Sequence, residues 1–249
     1  MALLLYREAE KLNPKYKSAT YNIANLLFKL RRYRDSINQC IRIMEMENGV
    51  AELSAYYYIR NLCWLGEGQK ALENCDKWLK QKPNSVWLQR IKSEVLTDYF
   101  SIGKTDKDGN RIVSEFSLRF FERICSTNKD VLPSDFVFFA RTLFWMDDID
   151  EVNKAFSVLE YAAKKYPNYW TYDYIMASQA LYYDLEGVLE FALRAQRKAP
   201  WREKTYEILI DAYKREGGDN AQQNILRSQK KYEEIKKQKE ILYASCSKI

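Results

Sequence analysis

The sequence predicts an all-α fold, a right-handed α–α superhelix of about six helix pairs. Three observations carry this expectation. Chain breakers are scarce: 8 Gly and 5 Pro in 249 residues leave room for long helices, not for many short strands joined by tight turns. The prolines are also evenly placed. Pro14 and Pro83 lie 69 residues apart, Pro133 and Pro167 34, and Pro167 and Pro200 33, while the 50 residues from Pro83 to Pro133 make one such step plus 16. A period near 34 marks an array of helical repeats. Finally, most prolines follow the same kind of segment: Ala9-Glu10-Lys11-Leu12-Asn13, Trp78-Leu79-Lys80-Gln81-Lys82, Ala163-Lys164-Lys165-Tyr166 and Ala195-Gln196-Arg197-Lys198-Ala199. Cations suit the last turn of a helix, where unpaired carbonyls leave partial negative charge. Proline then ends the helix, having no N–H and a ring that clashes with the turn before it.

In chain order, Ala2–Pro14 reads as the second helix of a pair whose first is missing, and is expected to be either a cap or part of a longer repeat protein. Repeats are predicted at about 17–51, 52–85, 86–133, 134–168, 169–200 and 202–245 of a single solenoid. In the first, Ala24 and Ser36 are the small residues where the helices cross, and Ile23, Leu27, Tyr33, Cys40, Ile43 and Met44 are the large apolar ones. In the second, Gly66 marks the turn, Ala71 is the small crossing residue, and Leu62, Cys75, Trp78 and Leu79 pack. Later units keep Ala155, Leu159 and Ala162, then Ala192 and Ala195, and a last pair turns at Gly217-Gly218. An insertion near 101–113 interrupts the third unit, with Asp108-Gly109-Asn110 expected at the tip of a small hairpin.

This set of positions resembles the tetratricopeptide repeat (TPR) family, over nearly the whole chain. The resemblance implies antiparallel helix pairs whose first helices line a concave groove. By register it places Tyr21, Asn25 and Phe28 on that surface from the first full unit, Tyr56, Arg60 and Trp64 from the second, and Trp87, Arg90 and Glu94 from the third. Aromatic and arginine side chains dominate binding hot spots. Members that clamp chaperone tails use two Lys, two Asn and a further cation on successive first helices. Only Asn25 matches here, the other positions holding Tyr21, Tyr57, Trp87 and Ile91, so an extended peptide or a helix held by apolar and arginine contacts is the expected ligand.

Composition narrows the chemistry. The absence of histidine excludes Ser-His-Asp and Cys-His catalysis and any zinc site that uses histidine. The five cysteines form no C-x-x-C pair and are odd in number, which points to buried thiols in a reducing, cytoplasmic setting and not to a disulfide framework. No run of about 18 apolar residues suggests a membrane span, and Met1–Tyr6 does not read as a signal peptide. Net charge is +6, from 40 basic and 34 acidic residues spread along most of the chain, which reads first as a solvated surface.

Three local patterns fall short of a site. Asp106, Asp108, Gly109 and Glu115 match part of a calcium loop, but Lys104 stands where its first carboxylate belongs. Gly103-Lys104-Thr105 resembles the tail of a phosphate loop without the upstream glycine or a preceding strand. The alternating Lys and Glu after Arg227 read as the solvated face of a capping helix. The expected function is therefore a protein-interaction scaffold, not an enzyme and with no cofactor, holding a partner segment in its groove. RNA binding, a regulatory or substrate-binding module of a larger enzyme and self-association through exposed aromatics are the alternatives.

Overall fold

The structure, a computed structural model, describes residues 2–218 and 220–246, with side chains through residue 241. Among the described residues there are thirteen α-helices and no strand, and the chain divides into two compact units, Met1–Asp130 and Val131–Ile249. The first holds α1 (Ala2–Leu12), α2 (Lys17–Lys29), α3 (Tyr33–Met46), α4 (Glu52–Trp64), α5 (Gly68–Gln81), α6 (Val86–Val95) and α7 (Glu115–Thr127). The second holds α8 (Pro133–Met146), α9 (Ile149–Lys165), α10 (Thr171–Tyr182), α11 (Val188–Lys198), α12 (Glu203–Glu216) and α13 (Ala221–Cys246). The all-α fold of helix pairs is as the sequence predicts.

Pro14, Pro83, Pro167 and Pro200 each stand two residues beyond the end of a helix, after α1, α5, α9 and α11. Pro133 differs: it occupies the first turn of α8 and opens a helix, where its missing N–H costs nothing. Its place on the 34-residue grid does not reflect a shared role.

Small residues let the helices approach. Ala24, Ala55, Ala71, Ala155, Ala162, Ala192 and Ala195 are fully buried. Two serines at crossings carry a second device. Ser36 Oγ donates to the Ala24 carbonyl at 2.8 Å, and Ser117 Oγ donates to the Ser93 carbonyl at 3.0 Å. Each satisfies a hydroxyl that would be costly to bury bare. In the first unit Ile59, Leu62, Cys75, Trp78, Leu88, Ile91 and Val95 fill the core between α4, α5 and α6. In the second, Ala177, Ala180, Val188, Ala192, Leu209 and Ala212 do so between α10, α11 and α12.

The insertion begins where α6 widens into a π-helical turn, Leu96–Ser101. A reversal follows, with a single antiparallel bridge between Thr105 and Arg111 and Gly109 at φ 85°. Tyr99, on the π turn, sends its hydroxyl to the Gly66 carbonyl at 2.7 Å. The insertion is thereby fastened to the α4–α5 turn. Ser114 caps α7 by accepting from the Ser117 N–H.

Candidate functional site

Spacings of three to four residues put Tyr21, Asn25 and Phe28 on one face of α2, Tyr56, Arg60 and Trp64 on one face of α4, and Trp87, Arg90 and Glu94 on one face of α6. The structure joins most of them. A path of neighbouring rings runs Trp87–Tyr56–Tyr57–Phe28–Tyr33–Trp64, with successive centroids 5.7, 5.7, 6.2, 5.8 and 5.9 Å apart. Arg60 sits in the middle. Its guanidinium lies 5.5 Å from the Phe28 centroid and 5.3 Å from that of Tyr56, within cation–π range, and its Nη1 donates to the Tyr56 hydroxyl at 2.7 Å. Tyr56 in turn reaches Glu94 Oε1 at 3.4 Å. The path does not run through Tyr21 or Asn25, which lie half-buried towards the start of α2.

Burial sorts these residues. Trp64 is 63% exposed, whereas Arg90 is 1%, Glu94 4% and Tyr56 9% exposed. Phe28, Arg60 and Trp87 are half-buried. Arg90 stacks over Trp87 at 4.9 Å and donates to the Asp130 carbonyl at 2.6 Å. Arg90, Glu94 and Tyr56 therefore build the floor, and Phe28, Arg60, Trp64 and Trp87 present its surface.

The electrostatics follow from that burial. Burial and then the Glu94 charge raise the Tyr56 phenol well above its usual range, so it remains a neutral donor. Burial disfavours the Arg60 charge, but Tyr56, Glu94 and Asp98 more than restore it, and its pKa rises. Cys63 is pushed up to about 11 by burial and by the Asp98 and Glu94 charges, which makes it a poor nucleophile near neutral pH. The face has a fixed cation answered by carboxylates and wide apolar area.

Tyr57, met in the sequence only as a clamp position without the clamp's residue type, joins the site, as do Tyr33 and Asp98, which no sequence pattern singled out in this role. Asp98 was open to inference, lying four residues beyond Glu94. Tyr33 was not, since it stands on a second helix and reaches the face through Phe28 and Trp64.

The remaining candidates are built otherwise. Asp106 Oδ1 accepts from the N–H groups of Asp108 and Asn110, both at 2.9 Å, and Oδ2 accepts from Asn110 Nδ2 at 3.2 Å. These bonds hold the carboxyl below its usual range and make it the staple of the hairpin tip. Among the described residues no group of three or more Cys, Asp or Glu is placed to hold a metal. On α13, Ile225, Ser228 and Ile235 are buried, while Lys230, Lys231, Glu233 and Glu234 face solvent. No helix of the described residues is long and apolar enough to cross a membrane.

No family model matches the sequence, and no curated protein sequence matches it either. Solved structures do. The chain is similar to a tetratricopeptide repeat protein from Parabacteroides merdae, with 12% identity and a TM-score of 0.54 over 92% of this chain and 84% of that one. It is similar to yeast Tom70 with 14% identity and a TM-score of 0.54, over 96% of this chain and 44% of Tom70. At these identities the likeness establishes the fold alone: an array of helix pairs like that of tetratricopeptide repeat proteins.

Proposed function

We propose that this chain is a protein-interaction scaffold whose first unit holds an extended segment or a helix of a partner along the face formed by α2, α4 and α6. The observation that carries this is the six-ring path with Arg60 at its centre. Exposed and half-exposed aromatic rings beside an ordered guanidinium are the chemistry of interface hot spots. Because Glu94 and Asp98 already answer Arg60, the face offers π surface and directed hydrogen bonds more than bare charge. A segment with apolar anchors suits it, each anchor setting a side chain against Phe28, Arg60 or Trp87. The role is binding and not catalysis, and the buried and half-buried thiols fit a reducing, cytoplasmic setting.

The test is selection of binders from a random 15-residue peptide library on the intact chain, followed by titration calorimetry against Phe28→Ala/Trp87→Ala. Circular dichroism must first show equal helicity. Enriched peptides should carry apolar anchors and lose at least tenfold in affinity. Peptides that bind the variant equally would place binding elsewhere on the chain. Enrichment of none, with concentration-dependent mass in sedimentation, would make the aromatic face a self-association surface.

A further inference from the structure

The end of the first unit where first helices turn into second helices forms a continuous edge. Trp64 stacks on Tyr33 with ring planes 10° apart, joining the α4–α5 turn to the α2–α3 turn. Arg34 reaches Glu67 at 3.4 Å across the same gap, and Tyr99 ties the insertion to Gly66.

Charge collects on this edge. Lys29, Arg31, Arg32 and Arg34 fall within six residues. Carboxylates beside them include Asp35, at 2.8 Å from Arg32, and Glu67, which Lys70 shares at 3.4 Å. The insertion adds Lys104, Lys107 and Arg111 against Asp106 and Asp108. Eight cations against four carboxylates leave a local excess of four, when the whole chain has only +6. Two ring pairs are interleaved: Tyr33 with the exposed Trp64, and Tyr99 with Phe100, over both of which the Lys104 ammonium lies at 5.1 and 5.2 Å.

Arg31 is an independent sign. Its φ is +60°, left-handed backbone that disfavours a Cβ. The next turn has the same geometry: Arg32 N–H to Leu27 O and Glu67 N–H to Leu62 O are both 2.9 Å. There the left-handed position is Gly66, with φ +78°. Every other described non-glycine residue with positive φ is Asn or Asp, which tolerate it. Arginine thus keeps a cation at a left-handed position where glycine would serve the turn.

We infer that this edge binds single-stranded nucleic acid without regard to sequence, a base stacking on the open face of Trp64 and phosphates running along the Lys29–Arg34 turn towards the insertion. An indole backed by a second ring gives any base a platform, and a row of cations tracks a backbone. The local ion pairs are largely exposed and weak, so phosphates can displace their carboxylates. An acidic segment without ring side chains would use the cations but not the flat indole. This goes beyond the partner-segment proposal and shares only Trp64 and Tyr33 with its face, neither of which the Phe28→Ala/Trp87→Ala variant replaces.

The experiment is fluorescence anisotropy of a labelled 12-nucleotide oligouridylate and the matching oligothymidylate with the intact chain. Both should bind at 50 mM KCl and weaken about tenfold or more at 200 mM, as neutralising three or more phosphates requires. Trp64→Ala should lose about tenfold at fixed salt. Arg31→Gly should weaken binding and reduce the salt slope by about 0.7, with equal helicity by circular dichroism showing that loss of fold does not explain loss of binding. Lys230→Gln/Lys231→Gln on α13 should bind as the parent does. No binding at 50 mM KCl would overturn the proposal. So would affinity unchanged by both Trp64→Ala and Arg31→Gly, or polyglutamate binding as tightly as the oligonucleotides with no effect of Trp64→Ala.

Discussion

At the scale of single residues, burial decides chemistry more than residue type does. Cys40 and Cys75 are fully buried, and that burial pushes both thiols up to about 12. Below the ordinary thiol value of about 9 the folded and unfolded chains both keep these protons, and the shift changes nothing. Between about 9 and 12 the unfolded chain releases them and the folded chain does not. Each thiol then removes about 1.4 kcal/mol of stability per pH unit. Urea unfolding between pH 9.5 and 11 should thus fall more steeply for the parent than for Cys40→Ala/Cys75→Ala, by about 3 kcal/mol per unit. Equal slopes would mean that these thiols ionise within the fold. Arg31 makes the opposite case, a residue kept against its backbone preference. Relieving its left-handed strain with Arg31→Gly should raise stability by up to about 1 kcal/mol, read from the shift in urea midpoint.

At the scale of elements, long-range contacts lock what local pattern only allows. A Cβ at Gly68 would come within 2.2 Å of the Tyr99 ring, so the first residue of α5 must be glycine for the insertion to seat. Gly68→Ala should displace Tyr99, break its bond to Gly66 and cost about 1–3 kcal/mol. Hydrogen exchange should quicken over residues 99–111 before it does in α5, and unchanged protection there would show the ring to be dispensable. Between α10 and α11, Asp173 is wholly buried and held by Arg194 at 2.8 Å and Lys198 at 2.5 Å. Asp173→Ala leaves two cations facing an emptied site and should cost about 3–5 kcal/mol, measurable as a lower melting temperature. These two contacts also mark the limit of what the sequence discloses. Helix ends after Pro14, Pro83, Pro167 and Pro200 were legible because proline acts locally. Pro133 shows the limit of that reading: spacing alone does not tell a residue that ends a helix from one that begins it. Gly68 and Asp173 gave no sign, since their partners lie 31 and 21 to 25 residues away.

At the scale of the whole molecule, the repeat pattern made the fold legible, while the candidate site was legible only as to which face carries it. Register chose α2, α4 and α6. It could not say that Arg90 would be sealed into the floor by Trp87 and the Asp130 carbonyl, or Glu94 beneath the Tyr56 hydroxyl, because burial depends on neighbours a period cannot specify. The same locality that made the repeats readable governs how such a chain fails. Each helix pair gains most of its stability from the pairs beside it in the stack, so damage should spread to neighbours and fade along the array. Ile59, fully buried among Leu62, Ala71 and Leu88, is the place to test this. Ile59→Ala removes three carbons from a packed site and should cost about 2–5 kcal/mol. Native-state hydrogen exchange should quicken across α3 to α6, whereas amides of α10 and α11 in the second unit should keep their parental protection. Uniform quickening over the whole chain would show the two units unfolding as one cooperative body, with stability shared rather than passed from neighbour to neighbour.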